Sequence, residues 1–246
     1  MIRISAVSYL NTYPFIYGLE RSELMNECNI TTDVPAICAQ KLLNNEVDIG
    51  LVPVAIIPQL NSYRIISDYC IGAIGKVHTV LLLSKIPLPE IKNIYLDNES
   101  RTSVQLVKVL AGNYWKINPG WINISNSEAS INNDFESVVL IGDKTFTARE
   151  NYPYVYDLAE EWYKFTNLPF VFACWVANKS LPDEFINKFN ETIKIGVENI
   201  DEVIEAFKDK IPGNVDAREY YTRYISYNLD ENKKKGLELF LKYLKV

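Results

Sequence analysis

Apolar and polar positions alternate at the start of the chain in the rhythm of a strand, with Ile2, Ile4 and Ala6 on one face. Asn11 and Thr12 interrupt that run. Pro14, whose fixed φ suits a first helical turn, then predicts a helix through Phe15 to Glu20. The strand, polar turn and helix recur. CNITTDV reads as a strand, and Pro35 opens a helix that keeps Ile37, Leu42 and Leu43 near one face. The β-branched, nearly unbroken VDIGLVPV predicts a strand covered on both sides. RIISDYCIGAIG and KVHTVLLLSK predict two further strands.

From about Lys85 the alternation restarts. NIYLD predicts a strand, TSVQLVKVLAGNYW a helix, WINIS and ESVVLIGD strands, DLAEEWYKFTN a helix and LPFVFACWVAN a returning strand. INISNSEASINND reads as a polar loop or irregular helix. After Pro182 the period turns helical, with Phe185, Phe189, Ile193 and Val197 in register, and residues 183–207, 215–226 and 230–245 predict three amphipathic helices. Lys233 to Lys235 read as a solvated helix face. Alternating strands and helices define an α/β protein with helices packed on mainly parallel sheets. The economical layout is discontinuous: residues 1–80 and 178–246 form one lobe, residues 81–177 the other, and two crossovers make a hinge.

Composition narrows the function classes. An apolar content of 48% in 246 residues fills a core in one large domain or two lobes. The net charge is -6, from 25 Lys plus Arg against 31 Asp plus Glu, and without a basic patch nucleic acid is not an expected partner. No run approaches the roughly 18 apolar residues of a membrane span. The start MIRISAVSYL lacks the basic region and apolar core of a signal peptide, so a cytoplasmic protein with no membrane partner is expected. Cys28, Cys38, Cys70 and Cys174 form no CxxC pair and are expected as reduced core residues. With His78 as the single histidine, no metal-ligand spacing is present. GxGxxG, GxxxxGK[ST] and GxSxG are also absent, which removes the minimum motifs of nucleotide and serine-hydrolase chemistry.

In open α/β sheets ligands bind beyond the carboxyl ends of strands. The polar residues in such places are Ser8 to Thr12, His78 and Thr79, Ser100 to Ser103, and Gly142 with Asp143. Thr102 and Gln105 have the spacing of a capping box ahead of Leu106, Val107 and Leu110. The free N–H groups of that helix start, with the hydroxyls of Ser100, Thr102 and Ser103, make either an ordinary cap or a carboxylate site. Asn11 either closes a turn or presents an amide that donates to an oxyanion and accepts from a hydroxyl. Thr79 lies near the first crossover, where its hydroxyl either faces the cleft or serves only the strand. His78, on the strand face opposite Thr79, is expected to be structural or superficial, with general-base use the minority alternative. Asp143 either caps the next helix or orients a ligand hydroxyl.

At these positions the sequence resembles the chorismate dehydratase family of the futalosine route to menaquinone. The matching segments are VSYLNTYPFIYGLE, VDIGLVPV, DNESRTSVQLVKVL, LIGDKTF and DLAEEWYKFTNLPFVFACWVAN, in the expected order over most of residues 1–178. SYLNT, SRTS and the segment ending FACW are the most specific, and the last part of the chain matches no motif. The resemblance implies a two-lobed type II periplasmic-binding-protein-like fold with a ligand cleft between the lobes. It implies one small-molecule substrate, chorismate, which loses water without a cofactor or metal to give 3-[(1-carboxyvinyl)oxy]benzoate. It also implies that Asn11 and Thr79 are catalytic, and that Thr12, Ser100, Arg101, Thr102, Ser103, Gly142 and Asp143 contact substrate. Serine is usual in the family where this chain has Thr79, so the hydroxyl survives with an added methyl. The oligomeric state is left open. Two other readings suit the same fold: a non-catalytic carboxylate-binding protein, and a related menaquinone-pathway lyase of the 1,4-dihydroxy-6-naphthoate synthase type, whose N-terminal motif differs from SYLNT.

Overall fold

The computed structural model describes residues 1–125 and 134–245, so the middle of the INISNSEASINND segment lies outside the described residues. In chain order the strands are β1 (Ile2–Val7), β2 (Cys28–Asp33), β3 (Ile49–Pro53), β4 (Arg64–Ala73), β5 (Val80–Ser84), β6 (Asn93–Asp97), β7 (Gly120–Ile124), β8 (Ser137–Ile141), β9 (Tyr154–Asp157), β10 (Phe170–Ala177) and β11 (Ser226–Asn228). The longer helices are α1 (Tyr13–Glu20), α2 (Pro35–Leu43), α3 (Arg101–Leu110), α4 (Leu158–Thr166), α5 (Asp183–Glu198), α6 (Ile200–Ala206) and α7 (Glu231–Tyr243).

These strands build two sheets. One has the order β11-β4-β10-β3-β1-β2, with β1 parallel to β2 and β3 and with β10 antiparallel to β3 and β4. The other runs β7-β6-β8-β5-β9, with β6 parallel to β7 and β8 and with β5 antiparallel to β8 and β9. The unbroken apolar runs have a direct cause: β3, β5, β8 and β10 are buried at every residue, because neighbours cover both faces. All four cysteines are free and buried.

The chain passes between the sheets twice, through residues 74–79 and residues 167–169. We propose these connectors as the lobe boundaries. That assignment moves β10, expected with the 81–177 lobe, into the first lobe, where it pairs with β3 and β4 along its length.

Three segments differ from expectation near the C-terminus. The single helix over 183–207 is broken at Asn199, whose backbone leaves the helical region while its amide donates to the Ile195 carbonyl at 2.7 Å. The helix over 215–226 is a short turn followed by a π-helix, Tyr220–Tyr224, and the chain then adds β11 to the edge of β4. Lys233 is not solvated: it is fully buried, with its stem against Gly72 and its ammonium donating to the Asn228 carbonyl at 2.7 Å and to Asp230 at 2.9 Å.

Two glycines let α1 and α5 approach closely. A Cβ on Gly196 would collide with the Pro14 carbonyl oxygen, and one on Gly18 with the Thr192 carbonyl oxygen. Both obstacles are backbone, so neither can rotate aside. Gly196→Ala should therefore destabilise the protein by roughly 1–3 kcal/mol despite the better helix propensity of alanine. Denaturant unfolding measures it, and an unchanged midpoint would contradict the contact. Since α1 follows directly on the turn Leu10–Thr12 that holds Asn11, the same substitution should disturb the cleft.

Candidate active site

Between the sheets lies a cleft of about 550 Å³ of empty space, part of it open to solvent. Seven of the nine predicted site residues line it: Asn11 and Thr79, the four residues Ser100 to Ser103, and Gly142. Thr12 and Asp143 stand behind the lining. Apolar walls come from Ile71, Val77 and Phe172. Among the described lining residues Arg101 alone carries a charge.

The Arg101 end is the start of α3. Its N-cap is Ser100, whose hydroxyl accepts from the Ser103 backbone N–H at 3.1 Å. The expected Thr102–Gln105 capping box is therefore displaced by two residues. Thr102 is engaged elsewhere, because its hydroxyl donates to the Phe172 carbonyl at 3.0 Å and accepts the Ala55 N–H at 3.3 Å. That buried pair of bonds ties α3 to β10 and to the turn after β3, and it leaves Thr102 no hydroxyl hydrogen for a ligand. The Arg101 guanidinium and the Ser103 hydroxyl have no partner among the described residues. With the Arg101 and Thr102 backbone N–H groups at the start of the helix they form a concentrated set of donors suited to an anion.

Asn11 and Thr79 face the cleft from its other side. Asn11 lies in a 3₁₀ turn, Leu10–Thr12, between β1 and α1. Its side-chain oxygen accepts the Thr12 hydroxyl at 3.1 Å, and its carbonyl accepts the Tyr227 hydroxyl at 2.9 Å. Thr79 is held by its neighbours in the chain. Asp157 accepts the backbone N–H groups of Val77 and His78 at 2.9 and 2.7 Å while also capping α4, and the Thr79 carbonyl accepts Gly142 N–H at 2.9 Å. Burial pushes the Asp157 carboxyl up to about 6, although four backbone N–H groups oppose that rise.

His78 is not on a strand. It has φ 65 and precedes β5, so the alternation that would set it opposite Thr79 does not apply. Its Nδ1 accepts Arg149 Nη1 at 2.8 Å, and its ring lies edge-on to Tyr224 at 4.0 Å, away from the cleft lining. Burial first and Arg149 second lower its pKa, which favours the neutral ring.

Contacts between the two sheets' loops draw the cleft together. The Tyr9 hydroxyl donates to Glu99 at 2.9 Å, and Leu10 N–H points to the Asp143 carboxylate at 3.3 and 3.4 Å. Gly142, with φ +73, lies under the Tyr9 ring, where an added Cβ would sit 3.1 Å from ring carbons. Asp143 does not cap the short helix Thr145–Ala148. Nor does Lys144 neutralise it, since that ammonium lies 2.5 Å from Asp97.

Burial pushes the Asp143 carboxyl up to about 6, with the Leu10 N–H pulling the other way. Its folded pKa lies above the ordinary 3.9, so the folded state binds the proton first and this group's cost to stability is relieved as pH falls from about 6 to about 4. Asp143→Asn should therefore be more stable than the parent at pH 7 by on the order of 1–3 kcal/mol, with the advantage shrinking across that window. Paired unfolding curves at pH 7 and pH 4.5 check it; a pH-independent difference would contradict it.

Tyr220 and Asp157 belong to this site and are not singled out by the sequence. Tyr220 Oη lies 2.9 Å from Thr79 Oγ1. Asp157 is readable as a helix cap, being followed by Glu160 and Glu161, but its grip on residues 77 and 78 has no local signal. Among the described residues no group of three or more His, Cys, Asp or Glu is placed to hold a metal ion, and no helix is long and apolar enough to cross a membrane.

Comparison with known proteins gives a consistent picture. A family model described as menaquinone biosynthesis matches residues 2–246. A protein of Thermus thermophilus named chorismate dehydratase is 27% identical over 236 residues, covering 86% of this chain and 84% of that protein. Protein AF1704 from Archaeoglobus fulgidus superposes with a TM-score of 0.79 at 17% identity, over 99% of this chain and 96% of the other. The periplasmic aliphatic sulphonate binding protein SsuA from Escherichia coli gives 0.60 at 12% identity, over 100% and 88%. The fold is thus periplasmic-binding-protein-like, with the cleft between its two lobes.

Proposed function

The chain belongs to the menaquinone biosynthesis family, and on that premise we propose that it removes water from chorismate in the cytoplasm, giving 3-[(1-carboxyvinyl)oxy]benzoate. The observation that carries this reading is the pairing of opposites in one cleft: Arg101, with no partner among the described residues, beside Ser103 at a helix start, and Asn11 with Thr79 across apolar walls. Chorismate is a ring with two carboxylates and a hydroxyl, and it needs such a distribution of donors. The protein's charge of -6 gives no long-range attraction for a dianion, so capture is local.

One carboxylate pairs with Arg101 and Ser103, and the ring lies between Ile71 and Phe172 with its hydroxyl toward Asn11 and Thr79. The elimination breaks a ring C–H bond and the neighbouring C–O bond. The C–H electron pair enters the ring, which becomes aromatic, and the hydroxyl leaves as water once it has gained the proton. The enolpyruvyl carboxylate of the substrate itself takes the ring proton. Asn11 and Thr79 hold the departing oxygen, and closing the lobes on the substrate excludes water and strengthens each polar contact. The protein then supplies geometry and hydrogen bonds, in keeping with described lining residues that include no carboxylate or histidine to act as the base.

Incubating the pure protein with chorismate and weighing the product tests the reading. An aromatic product lighter by one water is expected. Chorismate that binds and is recovered unchanged would replace it with the binding-protein reading.

A further inference from the structure

Residues 179–246 carry none of the matching segments, yet they return one side chain to Thr79 at the cleft wall. Tyr220, 2% exposed, opens the π-helix Tyr220–Tyr224, a distortion often found where a helix serves a functional site. Its hydroxyl lies 2.9 Å from Thr79 Oγ1. The ring is braced edge-on by Phe146 at 5.4 Å, from the opposite lobe. Tyr220 does not line the cleft, so it acts through Thr79.

The next contact of Thr79 sets the polarity of this bond. The Thr79 hydroxyl donates to the Val77 carbonyl, so the phenol hydrogen goes to Thr79 Oγ1, which accepts it on one lone pair. The Val77 carbonyl is a weak partner at 3.4 Å, and a bound molecule can take its place as the acceptor of the Thr79 hydrogen. We infer that Tyr220 is the positioning residue that makes the Thr79 hydroxyl a hydrogen-bond donor to the departing oxygen of the substrate. The inference rests on the dehydratase reading. It gives Thr79 a polarity opposite to that of a base, and it explains how an added methyl is accommodated: the hydroxyl is aimed by its partner rather than by free rotation.

Steady-state kinetics on the wild type, Tyr220→Phe, Thr79→Val and the double variant test it. Y220F should lower kcat roughly 10-fold or more with KM within about 3-fold, because orientation and not affinity is lost. The Thr79→Val loss should shrink in the Y220F background, since the two residues act as one unit. An NMR signal of the Tyr220 hydroxyl proton, assigned in the wild type through its own ring protons, should shift in Thr79→Val, a readout that needs no turnover and no folded Y220F protein. Wild-type kcat in Y220F, additive losses, or a hydroxyl proton indifferent to Thr79→Val would each overturn the role. A wild-type protein that leaves chorismate intact would overturn the dehydratase reading and this role with it; turnover by the wild type with an unaffected Y220F would overturn the role alone.

Discussion

Asn11→Ala is expected to lower kcat by about 10²–10³-fold while KM stays within a few fold, the pattern of a group whose bond strengthens only in the transition state. The surroundings of the residue suit that role. Its backbone is pinned by Tyr227 and its side-chain oxygen by Thr12, so its NH₂ group is preorganised rather than recruited during reaction. Each tenfold loss corresponds to about 1.4 kcal/mol of barrier, so the expected effect is about 3–4 kcal/mol, the worth of one well-placed donor on developing charge. Steady-state kinetics decide it. A variant that loses affinity and keeps kcat would make Asn11 a binding residue and remove it from the chemistry.

Arg101→Gln should show the reverse signature. The guanidinium is the one charged group among the described lining residues and has no partner of its own there, so its whole hydrogen-bonding capacity is open to a carboxylate. A charge-assisted hydrogen bond contributes about 1.5–3 kcal/mol, which predicts a KM higher by roughly 10–100-fold. That carboxylate is bound alike before and during elimination, so kcat should change little. Arg101→Lys should recover only part of the loss, because an ammonium keeps the charge but not the two-pronged fit. An unchanged KM in Arg101→Gln would place the carboxylate elsewhere. The two variants separate the ends of the cleft: one end fixes the acid, the other works on the departing oxygen.

Much of the framework is legible along the chain. Pro14 and Pro35 mark their helix starts, and the apolar runs of β3, β5, β8 and β10 announce strands covered on both faces. The periplasmic-binding-protein-like fold implied by the family resemblance is the fold found. Looking beyond the carboxyl ends of strands also leads to Asn11, Thr79 and Ser100 to Ser103, which the structure gathers around one cleft.

What is not legible depends on distant partners. Thr102 has the local pattern of a cap, yet the Phe172 carbonyl and the Ala55 N–H lie in other elements, and that buried pair outweighs a cap that Ser100 supplies equally well. Asp143 resembles a cap for the same reason and instead meets Leu10 across the cleft. The strand period gives His78 a face of its own, but the Asp157 carboxylate bends residues 77 and 78 before β5 begins. Tyr220 stands in the run REYYTRY, which has no feature to separate it from Tyr221 or Tyr224. Only the return of the chain along β11 brings it to Thr79.

A crystal structure of the Asn11→Ala variant soaked with chorismate tests most directly whether one dicarboxylic acid spans both lobes. One carboxylate should sit on Arg101 and Ser103, with the hydroxyl-bearing ring carbon turned to Thr79 and the ring against Phe172. Chorismate lodged instead in the neighbouring hollow lined by Gln59, Gln105 and Asn123, with Thr79 untouched, would contradict it.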